Sequence, residues 1–170
     1  MATTATSRLP DRRDALRIAG AAVAVNLIGA LGVPFTTTQS AWFAALELPA
    51  FYPPGWAFGV VWPILYALCG AAAALVSLAG RDGRAPTGRV RTALALFGIQ
   101  LVLNVTWSPV FWGLERPDLG LVVLAVLLPL VVATVWAFDR VDRRAAALLL
   151  PYLAWVCFAT ALNYAIWALN

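Results

Sequence analysis

Apolar residues run through this chain in long blocks and do not alternate with polar ones. The blocks cover about 15–35, 56–79, 92–112, 119–138 and 145–169, and Arg17 is the only charged residue inside any of them. Crossing the hydrocarbon of a bilayer takes roughly 20 apolar residues at about 1.5 Å of rise each, and every block has that length. Backbone groups in hydrocarbon must be bonded within their own segment, so the blocks predict helices. No run of period two suggests a β-barrel. The expected fold class is all-α integral membrane, a five-transmembrane-helix bundle. A polar N-terminal tail is expected over 1–14 and one membrane domain over 15–170. The first block is too long for the core of a signal peptide and lacks a small-residue cleavage motif. Five helices make no two equal halves, and no internal repeat is visible, which argues against an inverted-repeat transporter.

The connections differ in character. Thr36 to Gly55 is long and holds one acid, Glu47, with no basic residue. Arg81 to Arg91 is basic, Gly113 to Asp118 is a tight turn, and Asp139 to Arg144 is charged. Eleven of the twelve arginines fall on one side of the predicted bundle, and Arg116 alone falls on the other. The positive-inside rule then places the N-terminus inside, in the cytoplasm, and the C-terminus outside, with the long connection outside as well. A bacterial plasma membrane is the expected setting.

Composition supports the membrane reading. The chain is 62% hydrophobic and 12% charged, whereas soluble domains carry about 25% charged residues. There is no His and no Lys. No imidazole is available as a metal ligand or as a base near neutral pH, and the sequence offers no metal site. The net charge of +4 comes from loop arginines and speaks of orientation, not of nucleic acid. Cys69 and Cys157 both lie in apolar runs and read as small core residues, neither a disulfide nor a metal pair. There is no phosphate-binding glycine loop, no nucleophile–base pair, and no acid or base for a proton relay in the last four blocks.

One stretch stands out. Leu48 to Tyr66, LPAFYPPGWAFGVVWPILY, begins as a proline-stiffened loop and ends as an apolar helix. Trp42, Pro49, Pro53, Pro54 and Trp56 are candidate parts of an aromatic lid. Trp62 and Tyr66 share a face one turn apart. On the third block Gln100, Asn104, Trp107 and Phe111 recur at spacings of 4, 3 and 4. On the fifth, Tyr152, Trp155, Ala159, Leu162 and Asn163 form a stripe. Counting from the outer helix ends places Trp62, Trp107 and Asn163 roughly 8–9 Å deep and Trp155 roughly 21 Å. Polar residues rarely face lipid, so Gln100, Asn104 and Asn163 should point inward. A pocket for a flat apolar ligand is one reading. Aromatic core packing with Asn and Gln as interhelical glue is the other, and spacing leaves both open. Small pairs at Gly70 and Ala74, or Gly55 and Gly59, read as close packing or a dimer contact.

Three blocks carry a resemblance: Trp42-Phe43 through LPAFYPPGW to VVWPILY, Gln100-x-x-x-Asn104-x-x-Trp107-x-x-x-Phe111, and PYLAWVCFATALNYAIW from Pro151 to Trp167. They resemble the tryptophan-rich sensory protein / translocator protein family, also called the TspO/MBR or peripheral benzodiazepine receptor family. The resemblance implies a five-helix bundle, often homodimeric, that binds porphyrins such as protoporphyrin IX or haem as ligands, with no required cofactor. The pocket it implies holds Trp62, Asn104, Trp107, Trp155, Ala159 and Leu162, and Tyr66, Phe111 and Asn163 lie on the same faces. It implies a receptor or transporter with a sensory role. Reported porphyrin photodegradation in some members implies a second role for Trp62 and Trp155. The sterol pattern of animal members is incomplete here, because no basic residue follows Tyr164, which argues against a sterol. An acidic residue early in the fourth helix of several members is replaced by Val122 or Val123.

Overall fold

The computed structural model describes residues 11–170. Residues 1–10, most of the expected polar tail and including Arg8, lie outside the described residues. Six α-helices follow: α1 Arg12–Gly29, α2 Ala41–Ala45, α3 Gly55–Arg81, α4 Thr87–Ser108, α5 Pro117–Asp139 and α6 Arg143–Leu169. Five helical spans are long and apolar enough to cross a membrane. The all-helical, five-span expectation therefore holds.

The ends differ from expectation where capping decides them. α1 starts three residues early because the Asp11 carboxylate accepts from the Asp14 backbone N–H at 2.8 Å, so 12–14 are helical and not tail. It continues past Gly29 as a 3₁₀ segment, Ala30–Phe35, with Pro34 inside. The third span loses its α register at Pro109, which has no N–H to give, and closes as a π-turn over Pro109–Gly113. Pro54 and Pro86 precede the first residues of α3 and α4, and Pro117 opens α5, positions where a missing N–H costs nothing. The connection 36–54 is not wholly loop. Ser40 accepts from the Phe43 N–H at 3.1 Å and starts the short α2.

α3, α4, α5 and α6 form a closed ring in which each helix packs on the next, and α6 returns to α3. α1 lies outside the ring, chiefly against α3. That seat depends on small residues. A Cβ at Gly70 would overlap the Ala21 carbonyl oxygen, and one at Gly29 would overlap the Tyr66 ring. Gly70 is thus a close-packing site, whereas Gly55 and Gly59 have nothing within 4 Å. Inside the ring a core of Leu65, Cys69, Phe97, Leu101, Leu127, Val131 and Val156 fills the space between helices. Cys157 is exposed, contrary to the core reading, because the inward stripe of α6 runs through Tyr152, Val156 and Asn163 and turns its neighbour outward.

The arginine-rich end is closed by Asp142. It is 8% exposed, caps α6 through the Arg144 N–H at 2.9 Å, and pairs with the Arg144 and Arg84 guanidinium groups at 3.1 and 3.3 Å. Burial raises the pKa of its carboxyl, but hydrogen bonds from Arg144 and Arg84 outweigh that and hold it below the ordinary value.

Candidate binding site

At the opposite end the helix ends and the connection 36–54 carry most of the aromatic side chains. Two groups of rings form, linked by Phe43, whose ring lies 4.8 Å from Trp112 and 6.1 Å from Tyr52.

The first group joins α3 to α6. Trp62 stacks on Tyr66, one turn along its own helix, with centroids 5.2 Å apart. The edge of Trp62 meets Trp155 at 6.3 Å. Trp155 also touches Phe158 at 5.3 Å and Phe58 at 5.9 Å. The connection packs against these rings: Phe51 lies against Phe158 and Tyr52 against Phe58. Partial burial pushes the Tyr52 phenol above its ordinary value, so it stays a neutral hydroxyl near pH 7. The Tyr66 hydroxyl donates to Asn104 Oδ1 at 2.6 Å, which ties α3 to α4. Below, the Tyr152 hydroxyl donates to Gln100 Oε1 at 2.7 Å, both residues fully buried. Trp155 Nε1 breaks this pattern. It is buried and has no hydrogen-bond partner. Leaving a buried N–H unpaired costs about 1–3 kcal/mol, and native proteins rarely tolerate it without a role.

The second group joins α4 to α5 and α6. Trp107 stacks on Phe111 at 4.7 Å, and Trp42 from α2 packs edge-on against Phe111 and Trp112. The Trp107 indole N–H donates to Asn163 Oδ1 at 3.0 Å, and Asn163 Nδ2 donates to the Pro117 carbonyl at 2.7 Å. Gly120 makes room for this bridge, since a Cβ there would lie 2.8 Å from Asn163 Oδ1. Leu162 packs with Phe111, Trp112 and Ile166, and Ala159 is half-buried on the same stripe.

The sequence-predicted residues thus meet in two sets, which Phe43 and Tyr52 connect. Trp62, Tyr66, Asn104 and Trp155 belong to the first group. Trp107, Phe111, Leu162 and Asn163 belong to the second, where Asn163 spends both ends of its amide on protein partners. Trp42, Pro49, Pro53 and Pro54 shape the connection, with the Pro49 carbonyl accepting from the Tyr52 N–H at 2.9 Å. Trp56 does not join them: it is 71% exposed in the first turn of α3. Depth counting also fails for Trp155. Counting placed it about 12 Å below Trp62, yet the rings touch. The reason is that helix ends are not level. The last turns of α6 run alongside the connection, where Asn170 and Glu47 exchange hydrogen bonds at 2.9 and 3.1 Å.

Sequence reasoning missed Phe58 and Phe158. Both carried the signal already used elsewhere, four residues before Trp62 and three after Trp155. Gly29 under Tyr66 and Gly120 under Asn163 had no such signal, because spacing names a face and not its partner. Among the described residues no cluster of His, Cys, Asp and Glu could hold a metal, and no acid or base lies among these rings. The site is built for stacking and for a few directed hydrogen bonds.

Comparison with known proteins agrees with this architecture. The profile of the TspO/MBR family matches residues 21–168. The chain is 40% identical over 144 residues to the tryptophan-rich protein TspO of Chlorobaculum tepidum, covering 84% of this chain and 89% of the relative. It is 36% identical over 153 residues to the tryptophan-rich sensory protein of Cereibacter sphaeroides, covering 88% and 92%. It is 39% identical over 129 residues to the human translocator protein, covering 76% and 75%. With its five apolar spans and paired tryptophan clusters, the chain belongs to the TspO/MBR family.

Proposed function

We propose that this membrane protein binds a tetrapyrrole, protoporphyrin IX or a close relative such as haem, among Phe58, Trp62, Tyr66, Trp155 and Phe158, with the connection 36–54 as the lid. It would act as a receptor or transporter with a sensory role. One observation carries the reading: a buried indole N–H on Trp155 has no acceptor and lies in a wall of rings. A porphyrin supplies what that wall lacks. Its face stacks on indole, at about 0.5–1.5 kcal/mol per aromatic contact beyond area, and its carboxylate oxygens accept from an N–H. With no His in the chain, haem would bind without an axial imidazole. The names of the relatives, sensory and translocator, fit a protein that detects or moves a small molecule. The excess of arginine at the far end supports an outward-facing mouth.

Titration of the purified protein with protoporphyrin IX, haem, cholesterol and a synthetic isoquinoline, read by tryptophan-fluorescence quenching, tests the reading. Saturable quenching by the porphyrins is expected, with cholesterol weak. Trp155→Phe keeps the ring and removes the N–H, and should weaken protoporphyrin IX by about tenfold or more, as for the loss of a hydrogen bond to a charged group. Unchanged affinity in a Trp62→Ala, Trp155→Ala double variant would sink the proposed site.

A second reading rests on the direct contact of Trp62 with Trp155. Two indoles against one bound porphyrin would suit light- and oxygen-dependent breakdown of the ring. Illumination in air should then produce a bilin-like absorbance, and equal bleaching by Trp155→Phe would count against it.

A further inference from the structure

A second site lies at the other end of the molecule. Close to the tight seat of Gly70 on Ala21, and toward the arginine-rich end, α1 and α3 enclose a surface groove of about 330 Å³. Ala21, Ala73 and Ala74 line it with small apolar surface, Ser77 adds a hydroxyl, and Arg17 and Arg81 stand along it. We propose that this groove holds one phospholipid with an anionic headgroup, its phosphate between Arg17 and Arg81 and the start of an acyl chain along the alanines.

Charge and place argue for that occupant. Arg17 is the only charge inside the apolar blocks, and Asp14 pairs with it at 2.9 Å on the tail side. Arg81 is exposed in the last turn of α3 and makes no ion pair among the described residues. Asp14 offsets one of the two positive charges and leaves the groove net positive. Guanidinium groups present a planar fork of donors that matches phosphate oxygens. Leu16 and Val23 of α1, the helix that forms one wall of the groove, are exposed apolar residues on a membrane-length span. A soluble anion would satisfy the arginines and waste the alanines, and a neutral lipid would do the reverse. Basic pockets between membrane helices at the headgroup level have the chemistry for anionic lipids, with each arginine near the surface contributing about a fivefold gain in affinity.

Native mass spectrometry of the full-length protein, in detergent doped with phosphatidylglycerol or with phosphatidylcholine of the same chains, reads this directly. Wild type should retain phosphatidylglycerol in preference to phosphatidylcholine, one lipid per chain. The double variant R17Q/R81Q should lose about 25-fold in phosphatidylglycerol affinity. Ala73→Leu, which fills the groove floor and keeps both arginines, should also weaken retention. R89Q/R91Q removes as much charge outside the groove and should leave retention unchanged. Equal retention of the two lipids by wild type would overturn the proposal. So would undiminished retention in R17Q/R81Q, an equal loss in R89Q/R91Q, or full displacement of the lipid by millimolar inorganic phosphate. Porphyrin titration of the same samples is an independent readout, because none of these residues touches the aromatic site.

Discussion

The two ends of the bundle are held by different chemistry. At the arginine-rich end one buried carboxylate, Asp142, gathers the α6 N-terminus, Arg84 and Arg144, while Arg140 lies 4.6 Å over the Trp136 ring. These contacts are charged and therefore respond to pH and salt. At the aromatic end the helices are joined by rings and by neutral amide and hydroxyl groups, Tyr66 with Asn104 and Trp107 with Asn163. These bridging groups carry no charge. The difference teaches a division of labour. The charged end is held by ion pairs on one buried carboxylate, and the aromatic end by ring contacts and neutral hydrogen bonds.

Each end can be broken separately. The largest effect is expected from Asn163→Leu, which leaves the Trp107 indole N–H unpaired and strips the Pro117 carbonyl of its side-chain donor. The loss should be about 1–3 kcal/mol, as for one orphaned N–H, read as a lowered Tm in detergent. A Tm within a degree of wild type would mean that the bridge is decorative. Next comes Asp142→Ala, which removes the cap of α6 and both ion pairs, for about 1–2 kcal/mol. Its signature is a pH dependence. The folded carboxyl has a lowered pKa, so the unfolded chain takes up the proton first. The stabilisation is complete above the ordinary value of 3.8 and is lost as pH falls through the lower folded value. Wild-type Tm should therefore drop on acidification below about pH 4, and Asp142→Asn should flatten that drop. An equally steep fall in the variant would place the acid sensitivity elsewhere. The smallest effect is expected from Asn170→Ala, which frees the connection at Glu47. Global stability should change by less than about 1 kcal/mol, while hydrogen exchange rises at Glu47 and its neighbours. Exchange rising equally over 81–91 would erase the distinction between the two ends.

The five spans were legible because a bilayer demands long uncharged runs, and residues 56–79 and 145–169 satisfy that demand plainly. Which rings share a face was legible too, since Trp62 with Tyr66 and Trp107 with Phe111 follow helical spacing. Partners across helices were not. Spacing put Asn104 and Asn163 inward, but only the fold shows that Tyr66 takes one and Trp107 the other. Level was the weakest inference. Counting turns from helix ends assumed that α3 and α6 end together, and the connection packed beside the last turns of α6 breaks that assumption. Trp56 stands apart from the other rings. Its place beside a proline pair suggested the lid, but the first turn of α3 rotates it outward.

The closed ring of α3 to α6 has a consequence for biogenesis. Synthesis runs from α1 to α6, so the seat of α1 at Gly70 of α3 needs only the first two spans. α6 is the last to arrive, yet it brings Trp155 to Trp62 and Asn163 to Trp107. A chain of the first four spans would lack the Asn163 acceptor of the Trp107 N–H, whereas Asn104 already has its Tyr66 partner on α3. The Trp62–Trp155 and Trp107–Asn163 contacts therefore cannot form until the last span is made.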